Sequence, residues 1–464
     1  MKLSLMTHFT SHSASHSAPR FSCFCARFLV LLGCIFSGID TASAATPIEL
    51  WHTFQGNSAE VLTELVNRFN QQQNDVQVSL SRKGSDEQTV EAAIKVGAAG
   101  PHLLQVRDDL GEQVLQAKIS KPLRDVLTPA FGDEGWFVPN TTSFLRDVHG
   151  SPYAYPLAAQ VPVLLYNKDA FVKAGLDPEV VPKTWAELQA IILKISDAGF
   201  DCPYTTSYQS WIFLENLSSW HDQPFSTHNN GLEKGQAKLI FNTMLQVRHI
   251  ALMKSWVSSE LLKISGDHAE GDLRFASGEC AILTSGTAAL GAALQQKKFS
   301  VGIASLPYYD DTAKRAYQTM IGGDSLWVID GKSKDEYKAV GKFLTYLSTP
   351  QVAAEWHQRT GYLPVTDAAF KATQQSGYYT PWPRLETQVH NVDIHTRPSL
   401  RGIRLARFAR LRTIINQHLN LTWTQNKPPK QALDEAVREG NQLIEGGLEK
   451  PAAPAVSKAK KKSQ

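Results

Sequence analysis

"PIELWHTFQGNSAEVLTELVNRFNQQQNDVQVSLS", residues 47 to 81, contains the reading that decides the fold. "PIELWHTF" is a short buried strand. In the stretch after it, Val61, Leu62, Leu65, Val66 and Phe69 recur at helical spacing and share one face, with Asn57 or Ser58 as the expected cap. "VQVSLS" then alternates with period two, as a strand does. "DEQTVEAAIKVGAAG" (86 to 100) reads as a helix ending at glycine, and "PHLLQVR" (101 to 107) as another strand. Strands and helices alternating over short connections imply a mostly parallel sheet flanked by helices. Solutes bind such sheets at the carboxyl ends of the strands. Those ends are "WHTF", "RKGSDEQ" and "QVRDD", so Trp51, Asp86, Arg107, Asp108 and Asp109 are expected on one rim.

Outward from this unit, "YAYPLAAQVPVLLYNKDAF" (153 to 171) is an apolar run long enough to pass into a second one. "KTWAELQAIILKISDAGF" opens on a capping box, Thr184 with Glu187, and closes at Gly199. "CPYTTS" and "GECAILTSG" read as strands of that second unit, and "FSVGIASLPYYD" (299 to 310) as a return crossing. "GGDSLWVIDG", "DEYKAVGKFLTYLST" and "PQVAAEWHQRTG" resume the first pattern, and "PKQALDEAVREGNQLIEGG" is a last helix. A chain that shuttles between two α/β units is expected to form a hinged clamshell. Residues 45–157 plus 309–361 are assigned to lobe 1, and 158–308 plus 362–448 to lobe 2. The Ala/Pro/Lys tail, 449–464, is expected to be disordered.

Residues 1–44 read as an export signal. A basic, acid-free start precedes the apolar run "FLVLLGCIFSGI" (28 to 39), and Ala42-Ser43-Ala44 fits a cleavage site. The run is about half of what spans a bilayer. "LLGC" offers Cys34 as a competing lipid anchor. With Cys23, Cys25 and Cys34 in the leader, the mature chain keeps Cys202 and Cys280, which either bridge in an oxidising compartment or stay buried as thiols. The net charge of +3 divides into +2 from the leader and +4 from the tail, leaving about −3 between them. That balance offers no basic face for nucleic acid. The chain lacks G-x-S-x-G, H-E-x-x-H and C-x-x-C. Gly331-Lys332-Ser333 ends like a phosphate loop, but Leu326 stands where that loop needs glycine. No metal or organic cofactor is implied.

"YTTSYQSWIFLENLSSW" (204 to 220) concentrates two tyrosines, two tryptophans and a phenylalanine. It is either a core helix or the aromatic wall of a ligand cleft.

Here a resemblance enters. "WHTFQGNSAEVLTELVNRFN", "LLYNKDAFVKAGLDPE", "GGDSLWVIDGK", "AAEWHQRTGYLPVT" and "ALDEAVREGNQLI" resemble, in the same order, the periplasmic solute-binding proteins of bacterial ABC importers, above all those for glycerol phosphates. The resemblance spans about residues 48 to 445. It implies a type II periplasmic-binding-protein clamshell, a soluble monomer that closes on a small solute and delivers it to membrane permease subunits, without catalysis. Residue by residue, it implies solute contacts at Tyr208, Trp211, Tyr362, Gly322, Gly323 and Asp108, and an arginine suited to phosphate at Arg404. The sequence also departs from the family. Asp86 replaces a tyrosine and would repel phosphate. Ala159 and Gln160 replace serines, Gly286-Thr287 shifts a hydroxyl by one step, and Asp324 stands where small residues are usual.

The implied solute is sn-glycerol-3-phosphate or a glycerophosphodiester such as glycerophosphocholine, whose ammonium suits aromatics beside a carboxylate. A neutral sugar is the alternative within the class. An exported cleft hydrolase using Asp86, Asp108 or Asp109 is the alternative outside it.

Overall fold

The computed structural model describes residues 45–127, 136–138, 142–313, 316–390 and 401–446. The expected signal 1–44, Cys34 and the tail 449–464 lie outside the described residues.

The first sheet holds β1 (Thr46–His52), β2 (Val76–Arg82), β3 (Leu103–Arg107), β4 (Ser120–Lys121), β5 (Ala154–Gln160) and β11 (Gly322–Ile329). The second holds β6 (Pro162–Asn167), β7 (Tyr204–Thr206), β8 (Leu262–Ile264), β9 (Ile282–Gly286) and β10 (Val301–Ala304). In the first sheet β1 lies between β2 and β3, parallel to both. β11 runs antiparallel beside β3, with β5 and β4 on its other side. In the second sheet β7 is parallel to β8 and β9, while β6 is antiparallel to β9 and β10. Both sheets are therefore mixed, where the sequence implied mostly parallel ones. The strands that enter each sheet from the other lobe, β6 and β11, run against the rest.

The helix Gly56–Gln72 buries Val61, Leu62, Leu65, Val66 and Phe69, the five residues of the apolar stripe. Its cap is Gln55 rather than Asn57 or Ser58. The Asn57 amide instead donates to the Arg359 carbonyl at 2.6 Å, stitching this helix to Pro350–Thr360. The capping box of Thr184 and Glu187 is formed.

The first crossing is at Val161, between β5 and β6. Ala158, Ala159 and Gln160 thus pair with β11 in the first sheet, although the sequence boundary gave them to the second lobe. On the second crossing, Met320 N donates to Asn216 Oδ1 at 2.7 Å, so the chain leaves the second lobe only at Ile321. A core shared by both sheets, with Val106 and Trp327 facing Val163, Leu283 and Ile303, closes the space behind the crossings. The helices Phe408–Thr424 and Pro429–Ile444 pack into the second lobe's own core through Leu411, Ile415, Leu419, Leu433 and Ala436.

Cys202 and Cys280 form a disulfide that closes a loop of 78 residues and ties the start of β7 to that of β9. Cross-linking a loop of that size stabilises by about 2–4 kcal/mol. Reduction, or paired replacement by alanine, is expected to lower the urea midpoint correspondingly. An unchanged midpoint would show that the bridge adds nothing.

Candidate functional site

The site is the seam where the strand ends of the first lobe meet the aromatic segment of the second. Residues Trp211–Asn216 form a π-helical turn, a widened turn common at functional sites. Asn216 stabilises it by donating from Nδ2 to the Trp211 carbonyl at 3.1 Å. Tyr208, just before the turn, has φ +50°, a left-handed conformation unusual for a bulky residue. The turn aims Trp211 across the seam at the start of β11. A Cβ placed on Gly322 would lie 3.1 Å from the Trp211 indole and 2.9 Å from Asp108 Oδ2, so only glycine lets the three meet without displacement. At Gly323, with φ +102°, a Cβ would fall 2.2 Å from the Ala158 carbonyl. The glycine pair thus serves close approach of backbone on one side and of Trp211 and Asp108 on the other.

Other expected residues gather nearby. Tyr208 and Trp211 meet edge to face at 6.3 Å. Tyr362 stacks on Trp356 at 5.7 Å. Burial, then Asp272, Tyr362 and Asp324, raise the Tyr208 hydroxyl well above its usual value, which places these groups around one another. Gln160 lies directly over Gly286. Gln160 Oε1 and the Thr287 hydroxyl are buried without a hydrogen-bond partner among the described residues. That leaves one acceptor and one donor unspent where the lobes join. Ala159 contributes backbone only, its carbonyl accepting from Leu363 N at 2.7 Å. Trp51 is half-buried, its ring covered by the Lys83 ammonium 4.1 Å from the centroid.

Charge is the site's second property. Arg107 donates to Asp86 (3.0 Å), Glu87 (2.7 Å) and Asp109 (2.7 and 2.9 Å). Thr53 also donates to Asp86. Arg412 grips Asp108 with two nitrogens, at 2.6 and 3.1 Å, and Glu215 at 2.8 Å. Burial would raise the Asp109 carboxyl, but Arg107 and Arg412 outweigh it and hold it below its usual value. Asp86, Asp108 and Asp109 are therefore all engaged by arginines, and the hydrolase alternative loses its free acid–base pair. Asp324 differs. Burial, then Asp86, push it up to about 8 against the pull of Arg107. Burial likewise raises Asp272 to about 6.

Arg404 lines the same small cavity as Asp108 and Asp109 but spends its guanidinium on backbone. Its Nη2 donates to the carbonyls of Ser143 (2.6 Å) and Arg146 (2.7 Å), and burial pulls its guanidinium below the usual value. Arg412 is a further cation at the seam, one that sequence reasoning missed. A signal was present in the run Phe408, Leu411, Ile415, Leu419, whose spacing marks a buried helix face.

Small cavities of about 20 and 10 Å³ flank Asp108, one toward Glu112 and Arg404, the other between Trp211, Met320 and Arg412. Each has room for about one water, so a larger solute requires the lobes to part. Among the described residues, His418, Glu435 and Glu439 approach within 4.8 Å of one another. Lys427 bonds both His418 Nδ1 and Glu435, which makes the group an ion-pair network. No helix of the described residues is long and apolar enough to cross a membrane.

A family model for bacterial extracellular solute-binding proteins matches residues 64–386. The sn-glycerol-3-phosphate-binding periplasmic protein UgpB of Yersinia pestis is 38% identical over 416 residues, covering 87% of this chain and 93% of its own. The UgpB of Salmonella typhimurium is 39% identical over the same span. Among solved structures, UgpB from Mycobacterium tuberculosis in complex with glycerophosphocholine superposes with a TM-score of 0.70 at 20% identity, covering 87% of this chain and 99% of that one. Maltose-bound MalE3 of T. maritima gives 0.70 at 19%, covering 86% and 100%. The fold is the two-lobed type II clamshell these structures share.

Proposed function

We propose that this chain, which belongs to the bacterial extracellular solute-binding protein family, captures sn-glycerol-3-phosphate or a glycerophosphodiester in the periplasm and hands it to the permease of an ABC importer. The carrying observation is the match to relatives named for sn-glycerol-3-phosphate binding, over 87% of a chain whose Trp211, Tyr208, Tyr362 and glycine pair converge on one seam. Binding without turnover follows from the same chemistry. The seam offers rings, an unspent amide and hydroxyl, and paired charges, but no activated nucleophile.

The acidic lining favours the diester. A phosphomonoester dianion would face Asp86, Asp272 and Asp324 together, whereas the ammonium of glycerophosphocholine would neutralise one of them beside aromatic rings. This predicts proton release. Asp324 is mostly protonated below its value of about 8. A cation bound beside it stabilises the ionised form, so its pKa falls and the proton leaves. At pH 7.5, titration with glycerophosphocholine should release roughly half a proton or more per solute, measured as a dependence of the binding heat on the buffer's ionisation enthalpy. sn-Glycerol-3-phosphate should give no release, or uptake. Equal heats in all buffers for the diester would remove Asp324 from the site.

A further inference from the structure

We propose that Arg412 is the latch of the closed clamshell, a positioning residue that sets affinity by holding the lobes together; this rests on the solute-capture reading above. Arg412 projects from the second-lobe helix Phe408–Thr424, and its side chain is 13% exposed. It reaches across the seam to Asp108 with a two-nitrogen grip and to Asp109 at 3.2 Å, both on the loop after β3 of the first lobe. On its own side, Nε and Nη2 donate to Glu215 at 2.9 and 2.8 Å. Glu215 belongs to the π turn that also carries Trp211. One turn therefore presents the ring that meets Gly322 and anchors the cation that meets Asp108. Arg404 adds a second tie. Its backbone N–H donates to the Asn230 carbonyl of the second lobe at 2.9 Å, while its guanidinium holds the Ser143 and Arg146 carbonyls of the first.

A buried ion pair inside one rigid body adds little net stability, because desolvation offsets attraction. Across a hinge its effect is different. Parting the lobes would take Asp108 and Asp109 from Arg412 and return them to water, so the pair acts on the open–closed equilibrium. The planar guanidinium fork also fixes the register at which the lobes meet. Apparent affinity scales with the fraction of protein that can close, so a weaker latch weakens binding without removing a solute contact.

Small-angle X-ray scattering of the solute-free protein, paired with calorimetric affinity for glycerophosphocholine, tests this. Arg412→Gln should enlarge the solute-free radius of gyration and weaken binding about tenfold. Asp108→Asn should enlarge the radius too, with any solute contact of Asp108 adding to its affinity loss, and the double variant should lose little more than Asp108→Asn alone. Arg412→Lys keeps the charge without the fork and should fall between parent and R412Q, a second reading should R412Q fold poorly. A solute-free profile unchanged in R412Q and R412K, or losses that multiply in the double variant, would overturn the latch. The scattering requires no solute, so it can fail while the solute assignment stands, and the assignment can fail while the latch stands.

Discussion

Arg107→Ala is expected to destabilise the protein by about 3–5 kcal/mol, the cost typical of leaving buried charge uncompensated. Its side chain is 15% exposed, and it alone joins Asp86, Glu87 and Asp109. Asp109 has no exposed side-chain surface, and without Arg107 only Arg412 among the described residues would remain beside it, already shared with Asp108 and Glu215. Lysine in place of arginine restores the charge but not the fork that contacts three carboxylates, so Arg107→Lys should recover part of the loss. Urea denaturation reads both variants. A loss below about 1 kcal/mol for Arg107→Ala would place this network among surface ion pairs, which are worth that little.

Trp211→Ala should weaken solute binding by about 2–4 kcal/mol, the range of a buried aromatic hot spot. That corresponds to roughly 30- to 1000-fold in Kd. The ring is 6% exposed and lies where the second lobe meets Gly322 and Asp108. It also packs into the second lobe's core, so the variant will lose stability as well, and affinity must be taken from the folded fraction. Trp211→Phe keeps a ring and should fall between. Parent affinity in Trp211→Ala would return the aromatic segment to a purely structural role.

Much of this architecture was legible because its signals are local. The apolar stripe of residues 56–72, the capping box at Thr184 and the glycine pair that opens β11 each specify their own geometry within a few residues. Strand direction was less legible. The parallel β1, β2 and β3 follow from short connections, but the antiparallel β11 arrives after 160 residues spent in the other lobe, and nothing in "GGDSLWVIDG" states its partner. The π turn escaped for a related reason. "WIFLEN" is apolar enough for any helix, and the extra residue is accommodated by Asn216, whose side chain bonds both Trp211 and Met320.

The site divides along the same line. The rings and glycines could be carried over by resemblance, position by position. Arg412 could not be found that way. Arg404 lies in the irregular chain before the helix Phe408–Thr424 and Arg412 within that helix, and only the placement of carboxylates as distant as Asp108, 304 residues away, brings Arg412 to the seam. Arg404 turns instead to backbone carbonyls.

Calorimetry on the mature chain, unfolded and refolded to strip carried-over solute, tests the central claim most directly. Titrated with glycerophosphocholine, sn-glycerol-3-phosphate and maltose, the protein should bind one glycerol phosphate compound per chain, the diester more tightly, and give no saturable heat with maltose. Saturable binding of maltose alone, or conversion of any of the three, would contradict it.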